Sequence, residues 1–210
     1  HKRQDPIMYR ILTASSDTYI TNKIVNNTFR ATDANVGQAG TLDLFKLYNE
    51  SSLSGSSEDA HTEISRILIK FDHSRIKEMN DSGKIDIADA SFNATLKMHD
   101  VYGGQTTPSN FKCIIFPLAK DFDEGSGYDI STFSDLDATN FVTASYTNGS
   151  NIVWETPGAM KSGSLADIGS IDVITSGNLP GKPSSESLCF EQHFVDGTED
   201  LNIDVTKFVS

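Results

Sequence analysis

A chain of 210 residues with 12 Phe, 6 Tyr and 1 Trp has material for one large all-β domain or for two small ones. Its 17 Lys and Arg against 29 Asp and Glu give a net charge of −12. That balance excludes general binding to nucleic acid and to anionic membrane, because both need basic groups that displace counterions.

No apolar run reaches the length of a membrane span, and the N-terminus lacks a signal-peptide core. Cys113 and Cys189 both lie in apolar stretches and read as buried free thiols, with a disulfide between them left open. The fold does not depend on a cysteine framework.

Residues 1–7 are polar and charged and read as an N-terminal extension or linker, so the domain is expected over 8–210. Residues 9–20 carry two β-type runs, Tyr-Arg-Ile-Leu and Asp-Thr-Tyr-Ile. The Asn- and Thr-rich stretch 21–34 reads as a loop. Asn35-Val-Gly-Gln-Ala-Gly40 is a glycine turn into a strand over 41–48. On that strand Leu42, Leu44 and Lys46 share one face, with Phe45 and Leu47 on the other. The serine-rich stretch 49–62 is a surface loop.

Residues 65–76 form the strand that organises the chain. A period of two puts Ile67, Ile69 and Phe71 on one face, expected to be the core face, with Leu68, Lys70 and Asp72 opposite. Leu68 on the second face argues that the strand sits inside a sheet rather than at its edge. Residues 74–89 have weak helical signals, with Ile76 and Met79 three apart, and Asn80-Asp-Ser-Gly83 ends any helix after one or two turns.

Residues 90–102 alternate Phe92, Ala94, Leu96 and Met98 against Asn93, Thr95, Lys97 and His99. The nearly continuous apolar run 111–118 reads as a central strand. Residues 121–141 are acidic and turn-rich. A hairpin is expected around Asn148-Gly149, since both residues tolerate positive φ. Residues 156–168 are a glycine- and serine-rich loop, 169–175 a strand with Ile171, Val173 and Thr175 facing away from Asp172, and 176–187 a further loop. Residues 188–195 and 201–209 are the last strands. Many short strands, long polar connections and almost no helix indicate an antiparallel β-sandwich of the jelly-roll kind.

Chemistry is sparse. No His pair stands at a zinc spacing, Cys-x-x-Cys is absent, and there is no Gly-x-Ser-x-Gly elbow, P-loop or Gly-x-Gly-x-x-Gly. His99 reads as a satisfied surface histidine. Asp121-Phe-Asp-Glu-Gly125 is the best metal candidate, because clustered carboxylates suit Ca²⁺. It fails the EF-hand pattern, with Gly125 where a third ligand belongs and Thr132 where the bidentate Glu belongs, so a solvated acidic turn is the stronger reading. Paired carboxylates for glycoside hydrolysis find no particular pair. Tyr102, Tyr128, Tyr146 and Trp154 lie in or beside loops and are candidates for a sugar-stacking platform. Five Asn-x-Ser/Thr sequons begin at Asn26, Asn49, Asn80, Asn93 and Asn148 and read as a by-product of Asn-rich loops. The sequence assigns no catalytic, cofactor-binding or metal-binding residue.

Several segments in order resemble a known family. Ser16-Asp-Thr-Tyr-Ile20, Asn35-Val-Gly-Gln-Ala-Gly-Thr-Leu42, Arg66-Ile-Leu-Ile-Lys-Phe-Asp72, the strand from Ala90 to Asp100, Phe122-Asp-Glu-Gly125, Val153-Trp-Glu-Thr-Pro157 and Ile203-Asp-Val-Thr-Lys-Phe-Val209 together resemble the DNRLRE domain, related to carbohydrate-binding module family 96. Leu44-Phe-Lys-Leu47, Val101-Tyr-Gly-Gly-Gln105 and Asp123-Glu-Gly are similar to a group of tailed-phage virion proteins carrying that domain. The resemblance implies a non-enzymatic structural component of a tail, fibre or capsid appendage. Its partners would be other virion proteins or copies of itself, and it would be assembled in the host cytoplasm. It also implies an alternative, a module that binds polysaccharide. Family members continue past the Asp-Val-Thr strand with at least one more core strand, so the domain is expected to lack its last strand.

Overall fold

The computed structural model describes residues 8–48, 62–101, 107–132 and 135–209. Strands take 34% of the described residues and helices 10%, so the all-β class holds. Residues 1–7, Tyr102 and most of the serine-rich loop lie outside the described residues.

The chain runs through β1 (Ala14–Thr21), β2 (Ile24–Val25), β3 (Phe29–Arg30), β4 (Lys46–Tyr48) and β5 (Thr62–Phe71) before its first helix, α1 (Ser74–Asp81). β5 lies between β1 and β4 and is antiparallel to both, which is the interior position its pattern predicts. The face is different. Leu68 is buried in the main apolar cluster, while Ile67, Ile69 and Phe71 are only half-buried. Arg66 shares Leu68's face and donates to Ala159 O at 2.9 Å. A charged residue with a buried acceptor can therefore lie on the core side, which a polar/apolar alternation does not register. The early run at 9–12 is not a strand: β1 begins at Ala14, and Tyr9 and Ile11 are exposed. The strand expected over 41–48 is reduced to the three residues of β4.

α1 makes two turns and stops where expected, at Ser82 and at Gly83 with φ +69°. Next come β6 (Thr95–Met98), β7 (Phe111–Ile115), β8 (Thr143–Thr147) and β9 (Ser150–Val153). β6 keeps the expected faces but only four residues of its expected length. Among the described residues β7 pairs with a single strand, β13, and Ile114 is exposed, so it is not central. β8 and β9 form the hairpin read from Asn148-Gly149, whose φ values are +52° and +79°.

The remainder is β10 (Ser162–Ser164), a 3-10 helix (Leu165–Ser170), β11 (Val173–Gly177), β12 (Glu186–Ser187), β13 (Phe190–Phe194), β14 (Leu201–Asp204) and α2 (Thr206–Val209). The 3-10 helix replaces the start of the strand expected from 169. The final strand stops at Asp204, whose carboxylate accepts Thr206 N at 2.8 Å and turns the chain into α2. Among the described residues all ladders are antiparallel except β10 with β11.

Two buried apolar clusters stand out among the described residues. Ile20, Leu68, Phe122, Ala144, Trp154 and Ala159 form one buried cluster. Ile171, Ile174 and Leu188 form a second, joined by Leu165, Leu179 and Phe208. Buried polar side chains, Asn35 and Asp172 among them, tie loops together around these small clusters. Among the described residues no helix is long and apolar enough to cross a membrane.

Candidate functional site

Two buried polar clamps hold the loops that surround the first cluster, and they are the most chemically loaded places in the described chain. The first is Asn35, which is fully buried. Its Nδ2 donates to Glu124 O at 2.8 Å and to Thr139 O at 2.9 Å. Its Oδ1 accepts Gly37 N at 3.2 Å and Gly127 N at 2.9 Å. Every donor and acceptor of the amide is thus used. The backbones meet so closely that a Cβ at Gly37 would lie 1.9 Å from Glu124 O, and one at Gly127 2.0 Å from Asn35 O. The glycines of the 35–40 segment and of Glu124-Gly-Ser-Gly127 allow this interlocking.

The second clamp is Asp172, also fully buried. Its Oδ1 accepts Glu155 N at 2.6 Å, and its Oδ2 accepts Thr156 N and Lys161 N, both at 3.0 Å. Lys120 Nζ lies 3.9 Å from Oδ1 and donates to Val153 O at 2.8 Å and Glu155 Oε1 at 2.9 Å. Burial lowers the pKa of Arg66 and the Asp172 charge opposes that shift. One carboxylate therefore fixes the 155–161 loop, lies beside Lys120 in the segment after β7, and reaches Arg66 on β5 through its charge. A carboxylate saturated by three N–H groups and sealed from water is an anchor, not a general base. The alternation of residues 169–175 put Asp172 away from Ile171 and Val173 but gave no sign of its burial.

The carboxylates singled out in the sequence do not converge. Asp121 holds Lys70 at 2.6 and 2.9 Å, and that hydrogen bond keeps its pKa below the ordinary value. Asp123 Oδ2 accepts Tyr146 N at 2.6 Å, and Glu124 Oε1 accepts Asp17 N at 2.9 Å. Each carboxylate holds a different piece of the chain, and no cluster of metal-ligating side chains occurs among the described residues. Burial, and after it the Glu124 charge, raises the pKa of Asp17.

Trp154 is only 2% exposed, and its Nε1 donates to Asn140 O at 3.0 Å. It belongs to the core, so its part in a sugar platform fails. Tyr128 is 69% exposed and Tyr146 40%. His99 is a surface residue, with Nδ1 2.9 Å from Asp200 Oδ2. Cys113 and Cys189 are free and half-buried rather than buried, and burial pushes the Cys113 thiol up. Two shallow clefts, of about 290 and 420 Å³, lie beside Lys120 and between α1 and α2. In the first, Lys70 and Asp121 neutralise each other.

Comparison of the chain with protein-family models, with curated proteins and with solved structures finds no match.

Proposed function

We propose that this chain is a non-enzymatic structural component of a phage virion, part of a tail, fibre or capsid appendage, acting through contacts with other virion proteins or with copies of itself. The observation that carries this reading is the use to which buried chemistry is put. Asp172, Asn35, Lys120 and Arg66 all hold backbone or each other, which gives rigidity and leaves no poised acid or base among them. The ordered resemblance to the DNRLRE domain of tailed-phage proteins supplies the biological setting. A jelly-roll sandwich is the architecture that goes with it.

Polysaccharide binding is the second reading, favoured by the exposure of Tyr128 and Tyr146. Sedimentation velocity over a wide concentration range, run beside affinity electrophoresis in polysaccharide gels, separates the two. The structural reading expects a mass above that of one chain and no retardation. A monomer retarded by a polysaccharide, with retardation lost in Tyr128→Ala, overturns it.

A further inference from the structure

We infer that β7 is a self-association edge, where a second copy of this chain adds its own β7 in antiparallel register about a two-fold axis through Cys113. Asn110 N donates to Val195 O beyond the end of the β7–β13 ladder. Alternation then puts the hydrogen-bonded pairs at Lys112–His193 and Ile114–Glu191, within the register of that ladder. The N–H and C=O groups of Phe111, Cys113 and Ile115 therefore point away from β13. Among the described residues none of them has a hydrogen-bond partner.

Edges of β1, β14 and β9 are occupied by side chains. Glu124 takes Asp17 N on β1. Gln192 donates to Asp200 O just before β14 at 2.9 Å and accepts Asn202 N on it at 2.7 Å. Lys120 takes Val153 O on β9. Such plugs keep an edge from templating another chain. The outer edge of β6 is short and carries exposed Thr95 and Lys97. β7 is longer, apolar and unplugged.

Its pattern favours a copy of itself. Under the two-fold, Phe111 faces Ile115 of the second copy and Cys113 faces its own equivalent, so the inner face pairs apolar with apolar. On the outer face Lys112 meets the exposed Ile114 of the second copy, and no like charges are opposed. Lys112 is neutralised within its own chain by Glu191 at 2.5 Å. In a chain of net charge −12, a neutral edge is where two copies repel least. Isologous pairing also closes on itself, giving a dimer rather than a fibre.

This deepens the structural reading by naming one partner and rests on it only in that respect. The test is sedimentation velocity and light scattering on the full chain and on two variants at the half-exposed position 114. Ile114→Lys opposes Lys112 of the second copy twice per dimer and should weaken association at least tenfold. Ile114→Glu meets the same lysines with opposite charge and should associate at least ten times more tightly than Ile114→Lys. Mild oxidation should give a covalent dimer that Cys113→Ser abolishes and Cys189→Ser retains. Association that responds equally to both charges, or to neither, overturns the β7 assignment while leaving a structural role intact. A chain that stays monomeric to millimolar concentration also overturns it, and the polysaccharide assay then decides the structural reading separately.

Discussion

Asp172 shows how much one side chain can organise when it is buried with its partners. Asp172→Asn keeps the shape but replaces one acceptor with a donor that faces backbone N–H groups. It also removes the buried negative charge 3.9 Å from Lys120 Nζ, whose field opposes the lowering of the Arg66 pKa. The expected cost is about 3 kcal/mol of stability, read from urea unfolding at neutral pH. A loss under about 1 kcal/mol would mean that the clamp is not built this way. Asp17 runs the other way. Burial and Glu124 raise its folded-state pKa, so it holds its proton more firmly folded than unfolded. The resulting stability is present below the ordinary carboxylate value and is lost as pH rises through the raised one. Asp17→Asn should therefore raise the thermal midpoint at pH 7 and bring no gain near pH 3. An equal gain at both would remove the electrostatic explanation. Neither role is legible in the sequence, because surface acids and buried acids share one letter and only the fold separates them.

At the scale of elements, what local chemistry decides could be read, and what neighbours decide could not. Asn148-Gly149 makes a hairpin because both residues accept positive φ, and Asn80-Asp-Ser-Gly83 stops α1 for a similar reason. The face of β5 and the edge position of β7 depend on strands far away in sequence. An apolar run such as Phe-Lys-Cys-Ile-Ile reads as central whether or not a second strand arrives to pair with it. The glycines divide in the same way. Gly149→Ala meets open space and pays only for its backbone angle, about 1 kcal/mol. Gly127→Ala must push Asn35 O aside from 2.0 Å, at about 3 kcal/mol or more. Chemical denaturation of the two variants checks the order. Equal costs would show that the 35–38 and 124–127 segments are not interlocked.

At the scale of the whole molecule, two small apolar clusters raise the question of how 210 residues act together. Each buries too few large side chains to stand alone against the entropy of ordering its loops. Asp172 sits where they meet: Ile171 before it belongs to the second cluster, and the 155–161 loop it grips carries Ala159 of the first. Through that loop's Ala159 O it is linked to Arg66 on β5. The physical consequence is cooperativity. Trp154, the single tryptophan, reports the first cluster alone, whereas far-UV circular dichroism reports strands in both. The two signals should trace one coincident urea transition in the natural chain. In Asp172→Asn they should separate, with the fluorescence change coming first as the 155–161 loop lets go of the core. Two transitions already present in the natural chain would mean that the clusters fold independently and that the clamp couples nothing. A single coincident transition in the variant, merely shifted to lower urea, would make the β-ladders the coupling element instead.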